Sequence, residues 1–442
     1  MQKPVLSRRD FLKNASVASG LLILPSGFLR GADAPSNRIN VAGIGIGGMG
    51  AGDLNGISKC PGVKIVGLCD VEERRLVGAN KRYKEAKTFT DYREMLDKIG
   101  KDIDAVSVST PDHTHFTAAY SAVALGKHVY VQKPLCHTID QVRRLTALSL
   151  EKKVVTQMGN QGASSDHTRK AKEWYEAGLL GDVSLAESWS DRPIWPQGQK
   201  EYRASEPVPA GLKWDLWLGP AKKRPYIPGL HPFSWRGYYD FGCGALGDMA
   251  IHLMFDAFYV LDLTAPTKIE VNVSGKSEIA YPKASTVTYY FPGNNKRGPV
   301  KFVWYDGRRK PATPTGAQGL GSNGCLLHGK EFTLSVSGWG GAFEAYVPKE
   351  KLAKLEEKAP KEVYPRLRGR HYLNWIEGIR ENKLPSSRFA YSGPFAEVIL
   401  LGVIAQRVGR TLNWDSKAGK FINDDEANAF IKATSADGGF FA

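Results

Sequence analysis

The sequence predicts an α/β protein in two parts: a doubly wound parallel sheet, then an α+β domain with a large open, mainly antiparallel sheet. Three observations lead there. Short apolar runs alternate with helical patterns from residue 38 to about 160. A glycine turn, Gly45-Ile46-Gly47-Gly48-Met49-Gly50, follows the first run. Beyond residue 160 the texture changes to a Trp- and Pro-dense stretch and then to β-rich segments.

The elements follow in order. Residues 38–44 form the first strand pattern and feed the glycine turn. Residues 63–69 form a second and end on Asp70. Further strands are expected at 104–110, 128–131 and 154–157, with helices at 115–125 and 139–150. These strands are apolar throughout rather than alternating, as a sheet covered on both faces requires. In the second part strands are expected at 268–273, 285–291, 300–305 and 331–336. Two helices close the chain, near 370–380 and 395–408, and 349–361 reads as a charged surface stretch. The domain division is 1–34, 35–160 and 161–442.

Residues 1–34 are set apart because they read as an export leader. Ser7-Arg8-Arg9-Asp10-Phe11-Leu12-Lys13 has the twin-arginine pattern, an apolar stretch runs from Val17 to Leu24, and Ala32-Asp33-Ala34 is an A-x-A cleavage site. The expectation is a bacterial protein exported already folded by the twin-arginine translocon, processed, and periplasmic. No segment has 18 consecutive apolar residues, so no membrane span is expected after processing.

Net charge is +15 and the basic residues are scattered. With no basic helix, zinc finger or aromatic-plus-basic RNA motif, a nucleic-acid partner is not expected. The five cysteines, Cys60, Cys69, Cys136, Cys243 and Cys325, are odd in number and lack C-x-x-C spacing. Mostly free, buried thiols are expected.

The glycine turn has the context that a dinucleotide site demands: a strand before it, a helix after it, and an acid, Asp70, about 20 residues beyond the last glycine. Gly45 permits the tight turn, Gly47 lets a pyrophosphate approach the backbone beside Gly48 and Met49, and Gly50 lets helix pack on strand. The helix N-terminus offers N–H groups and a positive dipole end to phosphate. Asp70 suits ribose hydroxyls and repels a 2′-phosphate, favouring NAD over NADP, with Arg74 and Arg75 close by in sequence. This is the Rossmann arrangement.

Three more motifs stand downstream: Thr110-Pro111-Asp112-His113-Thr114-His115, Gln132-Lys133-Pro134 and Gly247-Asp248-Met249-Ala250-Ile251-His252. With the glycine turn, the ordered set resembles the Gfo/Idh/MocA family of NAD(P)-dependent sugar and inositol oxidoreductases, and its exported branch in particular. The resemblance implies a substrate site between the two domains and homo-oligomers built through the C-terminal sheet. It implies that Lys133 lies beside nicotinamide and substrate, and that Asp248 and His252 match the family's Asp-x-x-x-His pair. These three are the candidate catalytic residues. Position 132 is glutamine where the family motif has glutamate, which removes a negative charge from beside Lys133.

The residues themselves agree with these roles. Lys133 follows a strand at the carboxyl edge of the sheet, where ligands bind. Pro134 is a candidate for a cis peptide. Asp248 and His252, four apart, share one helix face. Removing a hydride from a carbinol also requires a base for the hydroxyl proton; His252, titrating near neutral pH, meets that need unaltered, and Lys133 meets it if burial or nearby positive charge lowers its pKa. Thr110, Pro111, His113 and His115 are expected to shape the loop near the cofactor, with no metal, since two histidines do not make a site. Gln157, Asn160, Gln161, Trp235 and Arg236 are the weaker substrate candidates. Of Trp189, Trp195, Trp214, Trp217 and Trp235, one or two are expected as platforms for sugar rings.

Export and a cofactor made in the cytoplasm are reconciled if NAD is tightly bound and does not exchange. The expected function is therefore oxidation of a carbohydrate hydroxyl by hydride transfer to retained NAD. The alternatives are a redox-neutral, NAD-dependent glycoside hydrolase or lyase working through a transient keto-sugar, and an inactive sugar-binding protein with structural NAD. Small carbohydrates or glycosides are the expected substrates.

Overall fold

A computed structural model describes residues 38–337 and 342–432. The leader at 1–34 lies outside the described residues. Six parallel strands form the first sheet: β1 (Ile39–Ile44), β2 (Val63–Cys69), β3 (Lys87–Phe89), β4 (Ala105–Val108), β5 (His128–Val131) and β6 (Thr156–Met158). Their order is β3-β2-β1-β4-β5-β6. Val41 of β1 faces Ile65 on one side and Ala105 on the other. The order reverses between β1 and β4, and the carboxyl ends of those two strands open a crevice there, where doubly wound folds bind ligands. Edge strand β3 is only three residues long and has no apolar run, so periodicity did not reveal it.

The second sheet has nine strands. They are β7 (Val183–Ser190), β10 (Lys268–Ser274), β11 (Ala284–Phe291), β12 (Val300–Tyr305), β13 (Asn323–Gly329), β14 (Thr333–Ser337), β15 (Ala342–Tyr346), β16 (Leu412–Asp415) and β17 (Lys420–Phe421). The two-residue strands β8 (Pro228–Gly229) and β9 (His231–Pro232) pair separately. The order is β15-β14-β13-β7-β12-β11-β10-β16-β17. Every pairing is antiparallel except β7 with β12. Central strand β7 reads Val-Ser-Leu-Ala-Glu-Ser-Trp-Ser and escaped the sequence reading, because a loop-like composition is made strand-compatible by specific bonds. Ser188 donates to Leu253 O (3.1 Å), Ser190 to Asn323 Oδ1 (2.7 Å), and Glu187 accepts from Tyr305 (2.7 Å).

Two late helices carry the chain back to the first domain. The helix Phe389–Val408 runs through Pro394, starting earlier than the proline suggested, and packs on the helix Ile139–Glu151. It is apolar and long enough to cross a membrane, but it is mostly buried inside the protein. The helix His371–Glu381 lies on the helix Met49–Ser58. Its Trp375 and Ile376 are fully buried and join Val41, Leu54, Ile57 and Tyr130 in one apolar cluster. All five cysteines are buried thiols outside any disulfide. The dinucleotide-binding unit is thus completed by residues more than 200 positions beyond it in sequence.

Trp375→Ala is expected to destabilise the protein by about 3–5 kcal/mol, the usual cost of emptying a buried tryptophan site. Thermal unfolding measures this, and a change under 1 kcal/mol would show that the late helix is not part of the first domain's core.

Candidate active site

The glycine turn is built by exclusion. Gly45 has a φ of +76° and leaves no room for a side chain, since a Cβ there would lie 2.7 Å from the carbonyl oxygen of Ser109. A Cβ at Gly50 would run into the carbonyl oxygen of Gly45. Gly48, with φ of +51°, precedes the helix Met49–Ser58 without capping it by a side chain, and open space lies in front of it. The first N–H groups of that helix therefore face the crevice with no acidic residue in the first turn, which fits a pyrophosphate.

Asp70 sits at the end of β2. It accepts from Ile46 N–H (2.9 Å) and Glu72 N–H (3.0 Å), so it pins the turn as well as facing the adenosine side. Burial raises its pKa, and Arg75, 3.8 Å away, pulls it back. Arg75 is itself committed to Glu72 (2.6 Å), which also meets His231 Nε2 (2.9 Å). With Arg75 held by Glu72, a ribose with free hydroxyls fits better than a 2′-phosphate, and the residues present fit NAD.

At the other end of the crevice, Lys133 follows β5 and its bond to Pro134 is cis. Lys133 Nζ is ion-paired with Asp248 Oδ1. That oxygen also lies 3.3 Å from Arg236 Nη1, which reaches Asp112 Oδ1 at 3.1 Å. Asp112 in turn accepts from Cys243 N–H (3.0 Å). Asp248 occupies a π-helical turn, Leu246–Ala250, and His252 lies in the α-helix Ile251–Val260 that continues it. The shared face expected from four-residue spacing is therefore wound more widely at Asp248, a distortion frequent at functional sites.

Burial alone would raise Asp248's pKa, but Lys133 and Arg236 hold it below the usual carboxylate range. Burial lowers Lys133, Asp248 opposes that, and Arg236 adds to it. Burial, reinforced by Lys133, pushes His252 down to about 3. His252 is thus a neutral imidazole throughout the working range rather than a group titrating near 6.5, which corrects the expectation of an unaltered histidine.

A cleft of about 550 Å³ joins the two ends. Gly45, Gly47, Gly48, Met49, Asp70, Thr110, Pro111, Gln132, Lys133, Gln161, Trp235, Arg236 and His252 line it. Several expected residues do not. Gly50 sits behind the turn, and Asp248 reaches the cleft only through its partners. Both ring nitrogens of His113 face carbonyl oxygens, Phe241 O at 3.2 Å and Trp217 O at 3.0 Å. His115 likewise lies between Pro134 O and Thr110 O, each at 2.8 Å. These histidines lodge between carbonyl oxygens instead of touching ligand; each neutral ring donates its one N–H to one of its two carbonyls. Gln157 donates to His371 O (2.8 Å), and Asn160 accepts from Ser387, so both tie β6 to the late helices. Trp217 and Trp235 line the cleft, whereas Trp189 donates to Gly321 O in the second sheet. Sequence reasoning passed over Asp53, Tyr372, His231 and Phe233. Asp112 was in view and given no role.

Residues 39–160 match the oxidoreductase family with an NAD-binding Rossmann fold, GFO_IDH_MocA. Residues 172–295 match that family's C-terminal alpha/beta domain, GFO_IDH_MocA_C2. The chain belongs to the Gfo/Idh/MocA oxidoreductase family. This family member is 27% identical over 153 residues to the uncharacterized oxidoreductase YrbE of Bacillus subtilis, covering 35% of this chain and 44% of that protein. It is 30% identical over 162 residues to a glycosyl hydrolase family 109 protein of Solibacter usitatus, covering 32% of this chain and 36% of that one. The chain thus spans less than half the length of these curated relatives. In fold it is similar to the WlbA dehydrogenase of Bordetella pertussis, solved with NADH and UDP-GlcNAcA. That match has a TM-score of 0.60 at 16% identity and covers 86% of this chain and 98% of WlbA.

The buried histidines make stability depend on pH. His113 and His252 are pushed to about 3, and His231 and His371 to about 4, in each case chiefly by burial; His115, His128 and His137 are lowered too. In the unfolded chain each takes a proton below about 6.5, so stability present above that pH is lost as pH falls toward 4, by up to about 1.4 kcal/mol per unit per histidine. Asp53, Asp70 and Asp306, raised by burial, work in the opposite sense but are fewer. The thermal midpoint is therefore expected to fall from pH 7 to pH 5. A flat or rising midpoint across that window would contradict the neutral state of these histidines.

Proposed function

We propose that this family member oxidises a carbohydrate hydroxyl with NAD retained through turnover. The observation that carries the reading is that Lys133 and His252 open onto the same cleft as the glycine turn and Asp70. NAD, when bound, accepts the hydride. Gly45, Gly47, Gly48 and the helix N-terminus would hold its phosphates, and Asp70 its adenosine ribose.

The chain's own residues handle the proton. Lys133, once its amine has given up a proton, takes the proton of the carbinol hydroxyl; burial favours that loss. The ion pair with Asp248 fixes the amine, and Arg236, competing for the same carboxylate, keeps that pairing from locking Lys133 in its charged form. His252, neutral and buried, orients the hydroxyl through a hydrogen bond. Trp217 and Trp235 offer apolar faces to a sugar ring, and the sugar bound in the WlbA structure supports that substrate class. The complete Lys133, Asp248 and His252 set argues against an inactive sugar-binding protein. The leader pattern supports folded export to the periplasm, which in turn supports NAD that does not exchange. The open nine-stranded sheet supports homo-oligomers.

A second reading is favoured by the glycosyl hydrolase relatives: redox-neutral cleavage of a glycoside. There Lys133 would move the proton on the carbon beside a transient ketone as well as that of the hydroxyl. Glycosides incubated in deuterated buffer separate the two. Many turnovers with deuterium at one ring carbon would promote the second reading. Stoichiometric ketone that resumes only on adding a second sugar would favour the first.

The denatured protein, purified mildly, is expected to release close to one nicotinamide nucleotide per chain, read by mass spectrometry. Its absence would remove the retention argument.

Lys133→Met and His252→Ala are each expected to cut turnover by about 10²–10⁴-fold while leaving released nucleotide near the wild-type amount. Near-wild-type turnover in either variant would cancel that residue's role.

A further inference from the structure

Asp53 lies one turn into the helix Met49–Ser58 and is fully buried. Its donors come from three separate parts of the chain. Ser109 Oγ, past the end of β4, donates at 2.7 Å. Tyr372 Oη, on the late helix His371–Glu381, donates at 2.9 Å. Gln132 Nε2, past the end of β5, donates to both carboxylate oxygens, at 3.0 and 3.1 Å. The other end of the same amide, Gln132 Oε1, accepts from the backbone N–H of Lys133 at 3.2 Å. Gly159 closes the far side, where a Cβ would lie 2.8 Å from the amide. The Gln132 side chain is thus fixed at both ends.

The geometry makes positions 53 and 132 one choice. Asp53 presents only acceptors to Gln132, so position 132 must donate. A glutamate there would bring two carboxylates to about 3 Å in a buried site, where both cannot stay ionised. We propose that Asp53 and Gln132 form a reciprocal acid–amide pair that positions Lys133. The carboxylate belongs to one member only, and in this chain it is set back on the helix. Among the described residues, Asp248 is then the one carboxylate within ion-pair distance of Lys133 Nζ, and Lys133 shares it with Arg236. Setting the charge back eases proton loss from Lys133. This rests on the proton-transfer role of Lys133 given above.

Three variants test it: Gln132→Glu, Asp53→Asn, and the double exchange that swaps acid and amide. In Gln132→Glu the new carboxyl has a raised folded pKa, so its deficit in thermal midpoint relative to wild type grows from pH 5 to pH 8. The double exchange restores a donor facing an acceptor and should recover at least half of the pH 8 deficit. Deficits that simply add would overturn the pair.

Calorimetry with NAD⁺, on protein first freed of its retained nucleotide, reads Lys133. Its charged amine opposes the cationic nicotinamide, so affinity should rise with pH as the amine loses its proton, by about fivefold or more. In the double exchange the carboxylate stands next to Lys133, and that rise should shift upward by at least half a pH unit. In Lys133→Met there should be no rise with either pair. Coupled stabilities without a shifted rise would leave the pair a packing device and overturn the positioning role. A rise that survives in Lys133→Met would instead count against the role of Lys133, while the stability cycle would still decide the pair.

Discussion

Four buried charges hold the centre of this protein: Lys133, Asp248, Arg236 and Asp112, alternating in sign along one chain of contacts. Each would cost several kcal/mol to bury alone, and losing one partner of such a pair typically costs about 3–5 kcal/mol. Such a row is retained only where every member keeps its neighbour. The surroundings meet that condition. Asp112 is fixed by the Cys243 N–H, Arg236 by its position over the Trp235 ring at 4.3 Å, and Asp248 by the π-helical turn that carries it. The four residues come from before and after residue 160, so this row is one of the contacts that join the two parts of the chain.

That requirement accounts for features that otherwise look unrelated. The histidines of the Thr110–His115 run do not reach into the cleft, because the helix start bearing Asp112 must be held rigid. His113 and His115 do this from between pairs of carbonyl oxygens, each donating to one of its pair. The late helix His371–Glu381 returns to the first domain for a similar reason. Through Tyr372 and Trp375 it backs the helix that carries the glycine turn, on the side away from the phosphates. Cofactor end and chemical end are therefore braced by the same long-range contacts.

The sequence made the cofactor end legible and the chemical end only partly so. The glycine turn could be read because backbone sterics demand glycine there: a positive φ at Gly45 and carbonyl contact at Gly50 leave no alternative. Asp70 was found by its spacing, yet its bond to Ile46 N–H was not, since a turn's N–H directions are not written in composition. Lys133, Asp248 and His252 were located by motif. Their protonation was misjudged for His252, because burial depresses it, reinforced by cations that arrive from residues 133 and 236. Gln157 and Asn160 looked like cleft residues by position, but His371 and Ser387, more than 200 residues later, claim them. Strand β7 was hidden for the same reason: its serines and glutamate are satisfied by distant partners.

The neutral state of His252 bears on which chemistry the site can perform. An imidazole at about 3 is a weak base, and it cannot carry away a hydroxyl proton unaided near neutral pH. It can donate its one N–H to the hydroxyl oxygen and so hold a substrate hydroxyl in line with Lys133. The amine is then the group whose proton affinity must change during reaction. Asp248 raises that affinity and Arg236 lowers it, so the amine is poised by competition for one carboxylate oxygen. Such a base returns its proton as readily as it takes one. Net oxidation and redox-neutral cleavage both need that reversibility at the hydroxyl, and they part company only at the neighbouring C–H. If the substrate is a carbohydrate, as proposed, the charges already present serve either reaction, and the difference between them would lie in which ring carbon the walls formed by Trp217 and Trp235 hold against the amine.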